Sequence, residues 1–422
     1  MKTLAIIIFA LMYISLLTFQ KVRAYIALAA AALFVILGIL PVGEIFTTVD
    51  WNVIMMIAGT MGAVGLFIES KMPSLLADHI IERMPNVKWT IISLSLFAGI
   101  ISAFVDNVAT VLMIAPVALT ISKKLKISPV ASVIAIAVSS NLQGAATLVG
   151  DTTSILLGGY ADMNFLDFFF MDGRIGIFWI VEAGALASIF ILVYLFRKEK
   201  QPISTLERTV VEDKVPTILL CSIVVLLIGA SFIENRPAIT NGLICVSVFL
   251  IGLVRKIIIT KDRAALLDAL KSIDFDTILL LTGLFIVIGG VTEVGLVNDI
   301  SQLFVRLSND NIFLIYTLIV WASVLFSAFI DNIPYVATML PVVAQISGLL
   351  GIEPNLLFFG LLIGATLGGN ITPIGASANI TGLGILRKEG YEVSAPTFMK
   401  ISVPFTFAAV ISGYILIWFI WR

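Results

Sequence analysis

The sequence predicts an all-α polytopic membrane protein made of two inverted repeats, with about ten transmembrane helices and two re-entrant helical hairpins. Three observations carry this. Apolar runs of membrane-spanning length fill the chain, charge is scarce, and one polar signature recurs at a constant offset. Of the 422 residues, 59% are hydrophobic and 13% charged, against about 45–50% and about 25% in soluble domains. Crossing ~30 Å of hydrocarbon takes about 20 apolar residues, and that requirement accounts for the composition. A soluble enzyme is excluded on these grounds, and a net charge of -1 offers no basic field for nucleic acid.

In chain order, apolar runs at 3–20, 24–43 and 52–68 are followed by a double run at 89–122, then 128–160 and 174–196. A mixed-charge stretch over 198–214 reads as a cytoplasmic linker. The pattern then restarts with 215–233, 238–254 and 275–292, a double run at 312–349, then 354–386 and 395–421. Residues 1–197 and 215–422 are therefore the two repeats, each holding one hairpin (89–122, 312–349) and one broken helix (128–160, 354–386). If each double run enters and leaves on one face, 21 Lys and Arg, Arg23 among them, collect on one side and five on the other. The positive-inside rule makes the first face cytoplasmic and puts both termini outside. The length and the absence of long loops suit a bacterial inner membrane.

Ser102-Ala103-Phe104-Val105-Asp106-Asn107-Val108 recurs as Ser327-Ala328-Phe329-Ile330-Asp331-Asn332-Ile333, offset by 225 residues, and the register holds from Pro116 to Pro341 and from Gly144 to Gly369. Five crossings separate the two Asp-Asn pairs, an odd number, so the repeats enter from opposite faces. Inverted repeats with interrupted helices at matching positions are the pattern of secondary transporters that bind substrate near the bilayer midplane. The arms 89–105 and 108–122 are shorter than a full span, which predicts hairpins whose Asp-Asn tips stop inside the membrane. Asp and Asn suit turns and cap the following helix, and Pro334 suits a first helical turn. A carboxylate at the centre of a span costs about 2.5 to 3.5 kcal/mol, so Asp106 and Asp331 are candidate ion-carrying groups and not caps alone.

The stretches Ser139 to Ser154 and Gly364 to Asn379 are polar and glycine-bearing within apolar runs, and they should be unwound. Non-helical backbone at that depth survives only where protein or water satisfies it. Such breaks expose carbonyls that suit Na⁺ and N–H groups that suit an anion. One break holds Asn141, Thr147, Gly150 and Thr152 and the other Asn370, Thr372, Gly375, Ser377 and Asn379; with Asn107 and Asn332 they are the substrate-binding residues that the family resemblance given below implies. Asp151 faces only Ala376 in the other half, so it is the candidate for a single proton or cation carrier beside Asp106 and Asp331. Glu182, inside a span and not duplicated, could face a water pocket or another subunit. His79, beside Asp78 and Glu82, reads as a solvated loop residue, and Cys221 and Cys245 lie in apolar runs without support for a disulfide or metal site. No cofactor is expected beyond a bound Na⁺ near Asp106, Asn107, Asp331 and Asn332.

At the Ser-Ala-Phe-x-Asp-Asn and Gly-x-x-Thr-x-x-Gly motifs, the latter followed by Ala376-Ser377-Ala378-Asn379, the chain resembles the ion transporter superfamily. The branch is that of arsenite permeases, NhaD-type sodium/proton antiporters, citrate permeases and the P protein, and the match covers nearly the whole chain. The resemblance implies a homodimer with a scaffold and a mobile domain that carries the hairpin tips and breaks across the bilayer, an elevator mechanism. Dicarboxylate members carry Ser-Asn-Thr at the tip where this chain has Asp-Asn; the added negative charge repels anions unless cations or protons neutralise it.

Two functions follow: a Na⁺- or H⁺-coupled permease for a small anion or arsenite-like oxyanion, favoured by the helix breaks, and a sodium/proton antiporter with no anion substrate. An intramembrane aspartyl protease fails because position 148 is Leu in the would-be Gly-x-Gly-Asp signature and the inverted duplication has no role in proteolysis; a passive channel is distinguished by current without substrate coupling.

Overall fold

In the computed structural model, ten α-helices among the described residues of the first half are followed by ten in the second, in the same order. The first half reads α1 (Lys2–Thr18), α2 (Arg23–Ile36), α3 (Ile45–Thr48), α4 (Trp51–Glu69), α5 (Met72–Glu82), α6 (Val87–Ser102), α7 (Asn107–Leu125), α8 (Val130–Gly144), α9 (Thr152–Tyr160) and α10 (Ile177–Leu195). The second half reads α11 (Val215–Ser231), α12 (Thr240–Thr260), α13 (Ala264–Lys271), α14 (Phe275–Glu293), α15 (Leu296–Ser308), α16 (Ile312–Ser327), α17 (Asn332–Leu350), α18 (Asn355–Gly368), α19 (Ser377–Lys388) and α20 (Ala395–Trp421). A two-residue antiparallel ribbon, β1 (Phe170–Met171) with β2 (Arg174–Ile175), precedes α10. The structure describes residues 1–125, 127–202, 209–211, 213–261 and 264–422. Lys126, Arg208 and Arg263, counted on the basic face, lie outside the described residues, as does part of the linker 198–214.

Matching residues start matching helices. Asp50 caps α4 by accepting from Val53 N, and Asp274 caps α14 by accepting from Thr277 N; Asn86 and Asn311 do the same for α6 and α16. Each such cap satisfies one of the backbone donors that a helix leaves open at its start.

Among the described residues, seven helices are long and apolar enough to span a membrane: α4, α7, α10, α12, α14, α17 and α20. The number rises to eight if α15 and α16, bent by 119°, count as one span. Six more apolar helices, α1, α2, α6, α8, α11 and α18, are shorter. About ten crossings plus two hairpins is thus more than helix length supports. The second hairpin arms run 19 residues, Asn107–Leu125 and Asn332–Leu350; in the first of them Lys123 and Lys124 continue the helix past the apolar run. The expected span over 174–196 is shorter, since Arg174 and Ile175 form a strand. The polar breaks after α4 and α14 hold α5 and α15, whose period matches one buried face and whose length falls below a crossing. His79 lies in α5 and not in a loop, with Nδ1 2.9 Å from Leu75 O.

The halves interlock by exchange. α2 packs along α14 of the other half and α12 along α4, while α6 packs on α8, α16 on α18, and α10 on α20. Glycines permit the close crossings. A Cβ on Gly59 would overlap the Cys245 backbone, and one on Gly283 would lie 2.7 Å from the Ala27 carbonyl carbon. Where α4 meets α14, Gly65 faces Ser272 and Gly289 faces Thr48, so the end of each helix lies beside the start of the other. The linker is anchored: Asp213 pairs with Arg255 at 2.6 Å, which holds its carboxyl below the usual range, and Thr209 N donates to Asp78 at 2.8 Å.

Gly59→Ala and Gly283→Ala should each destabilise the fold by about 1–3 kcal/mol through overpacking, lowering the thermal midpoint in detergent. Gly384→Ala, whose Cβ meets nothing within 4 Å, should leave it unchanged.

Candidate functional site

The hairpin tips and helix breaks converge through two sets of equivalent bonds. Between α6 and α7 the tip is residues 103–106, and between α16 and α17 it is 328–331. α8 and α9 are separated by 145–151, and α18 and α19 by 369–376. Thr147 Oγ1 donates to Ala103 O in the first half, and Thr372 Oγ1 donates to Ala328 O in the second. Gly150 lies so close to the first tip that an added Cβ would sit 2.9 Å from Ala103 O, and one on Gly375 would sit 2.8 Å from Ala328 O. Ser154 Oγ donates to Gly144 O at 2.9 Å, and Asn379 Nδ2 to Gly369 O at 3.0 Å. These bonds satisfy carbonyls that the unwound segments would otherwise leave open at membrane depth.

The halves meet at fully buried asparagines. Asn107 Nδ2 donates to Asn141 Oδ1 at 2.9 Å, Asn141 Nδ2 to Thr366 O at 2.7 Å and Asn370 Oδ1 at 3.1 Å, and Asn370 Nδ2 to Val138 O at 2.9 Å. Asp151, 5% exposed, sits at this junction. Its carboxylate accepts from Thr152 N at 2.8 Å, from Thr153 Oγ1 at 3.0 Å, and from Asn332 Nδ2 of the opposite tip at 3.4 Å.

A cavity of about 240 Å³ reaches this junction, lined by Asp106, Asn107, Asp151, Thr152, Asn332 and Ser377 together with the C-terminal half of α4 and the residues Lys271, Ser272, Asp274 and Thr277 ahead of and within α14. A second cavity of about 630 Å³ opens at the other end of the α4/α14 pair. It is lined by Asp50 and Asn52 at the start of α4, by the C-terminal part of α14, and by Tyr160 and Pro341. The two are counterparts under the duplication, but only the first contains the tips.

Six of the residues singled out from sequence line the first cavity. Asn141, Thr147, Gly150, Asn370, Thr372, Gly375 and Asn379 stand behind its wall as the bonding framework just described. Asp331 is set apart: it forms an ion pair with Arg23, whose guanidinium also bonds Asp276 and Thr277 at 3.2 Å each. That pairing occupies one carboxylate of the expected Na⁺ group. Glu182, which has no partner visible at helical spacing, has Gln143 at the end of α8 as a polar neighbour. Sequence reasoning missed Asp274, Asp276, Thr277 and Arg23. Ile273-Asp274-Phe275-Asp276 does repeat Val49-Asp50-Trp51-Asn52, but at an offset of 224, one residue out of the register that the tips define.

The model of the citrate transporter family matches residues 5–364. The chain belongs to the citrate transporter family. An uncharacterized transporter of Mycobacterium bovis is 31% identical over 432 residues, 99% of this chain and 98% of that one. The human P protein is 26% identical over 95% of this chain and 58% of its own length, which agrees with the branch that the tip and break motifs resemble. Among solved structures, the Alcanivorax borkumensis YdaH transporter shares the fold with a TM-score of 0.59 at 15% identity, covering 89% of this chain and 86% of that one. The protein is an integral membrane transporter and not an enzyme.

Gly150→Ala or Gly375→Ala places a methyl group against three carbonyl oxygens, a strain of about 1–3 kcal/mol that wedges tip from break. Both variants should still purify as folded protein by size exclusion, with transport in proteoliposomes strongly reduced.

Proposed function

We propose that this transporter is a secondary active carrier that couples a small anion, or an arsenite-like oxyanion, to Na⁺ or H⁺ by an elevator displacement of the tips and breaks. The pair of cavities carries the reading. Equivalent cavities at the two ends of the α4/α14 pair, one reaching Asp106 and Asp151 and the other stopping at the flanks of α9 and α17, are what alternating access between two inverted halves requires. The antiparallel meeting of α4 and α14 supports the inversion, and the 19-residue second arms would then enter the membrane only as far as their tips.

In this reading Asp106 and Asp151 take the coupling cation. A Na⁺ would be held by Asp106 with the amides of Asn107 and Asn332, since Arg23 already neutralises Asp331. The solute faces Asn107, Asn332 and Ser377, at the start of α19. That helix begins without a side-chain cap, whereas Asp106, Asp151 and Asp331 accept from the first N–H groups of α7, α9 and α17. Its open donors suit an oxyanion. A second reading, sodium/proton exchange with no anion, is favoured by the lining itself, where Asp106, Asp151 and Asp274 outnumber Lys271. The mycobacterial relatives support a bacterial inner membrane, the 21-to-five basic split supports external termini, and the family resemblance supports a homodimer.

Purified protein in proteoliposomes with an internal pH dye separates the two readings. A sodium gradient is imposed alone and then with arsenite, phosphate or citrate. Proton flux that appears only with one anion supports the permease; flux with sodium alone supports the antiporter. Asp151→Asn should reduce coupled flux to that of empty liposomes in either case, and normal flux in the folded variant would contradict the role given to Asp151.

A further inference from the structure

We infer that Arg23 is a resident counter-ion for Asp331 and a positioning residue for transport: it latches the second hairpin tip to the scaffold, and the latch must open before that tip can move. The inference rests on the alternating-access reading above and adds to it the group that biases the alternation.

Arg23 begins α2, which packs along α14. Its Nε donates to Asp276 at 3.2 Å and its Nη2 to Thr277 Oγ1 at 3.2 Å, both in the first turn of α14. Asp274, the α14 cap, also attracts the guanidinium. These contacts lie within one packed helix pair and fix where the guanidinium stands. Its remaining arm, Nη1, reaches Asp331 at the tip of the second hairpin. Arg23 and Asp331 side chains are only 19% and 22% exposed, so water screens the pair less than it would at an open surface. The planar fork of arginine suits one charge held by two bodies at once.

The duplication shows that this bridge is one-sided. At the matching place in the other half, Asn52 stands for Asp276, and its Oδ1 accepts from the backbone N of Gly242 at the start of α12. Asp106, the counterpart of Asp331, accepts from Val108 N at 2.9 Å and Ala109 N at 3.0 Å. Among the described residues no guanidinium stands there. When the halves exchange arrangements, Asp331 leaves Arg23, and no equivalent pair forms at Asp106. The present arrangement is therefore favoured in the empty carrier. Ion binding beside the tip, at Asp106 and the Asn332 amide, must outweigh that bias before the latch opens, which ties ion binding to movement.

The test uses Ser377→Cys in a background with Cys221→Ala and Cys245→Ala, labelled with a membrane-impermeant thiol reagent from each side of sealed vesicles. Ser377 lines the cavity open in this state. Adding Arg23→Gln should raise labelling from the opposite side by about fivefold or more, and Arg23→Lys should fall between it and the parent. In an Asp331→Asn background, Arg23→Gln should change nothing further, which a purely structural role for Arg23 would not produce. Labelling that responds to sodium but is untouched by Arg23→Gln would overturn the inference alone, as would an equal effect of Arg23→Gln with and without Asp331. Labelling confined to one side in every variant, with and without sodium, would overturn the alternating reading and the inference with it.

Discussion

An interrupted helix inside a membrane must find partners for its loose backbone, and this constraint shapes the protein more than any other. Each unmet amide or carbonyl in hydrocarbon costs several kcal/mol. The chain meets that cost by placing each hairpin tip against its own break, where Thr147 and Thr372 donate to Ala103 and Ala328 carbonyls, and Ser154 and Asn379 close the carbonyls that end α8 and α18. Gly150 and Gly375 are the residues that let the backbones approach. Tip and break are thereby bonded into one body in each half, and the Asn107–Asn141–Asn370 chain joins the two bodies. Whatever moves the site must move both together.

Against so faithful a duplication, the departures are informative. Asp151 stands where the other half has Ala376, and its carboxylate bonds across to Asn332. Asp276 stands opposite Asn52, and Arg23 has an ionic role with no counterpart among the described residues of the other half. The symmetric residues build the framework, whereas the charged, unduplicated ones give the two halves different electrostatics.

Much of this was legible in the sequence. The Ser-Ala-Phe-x-Asp-Asn repeat marked both tips because a turn at membrane depth admits few residue types, and the glycines with Thr147, Thr372 and Pro373 marked the breaks for the same reason. Three things were not legible. α5 and α15 are too short and polar to register as spans. The α14 start repeats α4 one residue out of step, which hid Asp274 and Asp276. Arg23 looked like any basic residue flanking a span, since composition carries no record of the exchange that brings α2 beside α14. The framework roles of Asn141, Thr147 and Asn379, as opposed to roles at the cavity surface, depend on side-chain direction, which spacing does not encode.

The proposed elevator displacement would carry the tips and breaks as a body past α1, α2, α4 and their counterparts. Spin labels at exposed Lys21, ahead of α2, and at Lys124, near the end of α7, report that displacement through their separation in proteoliposomes. Two populated distances whose ratio changes when sodium is added are expected. A single distance, unaltered by sodium or by candidate anions, would contradict the account.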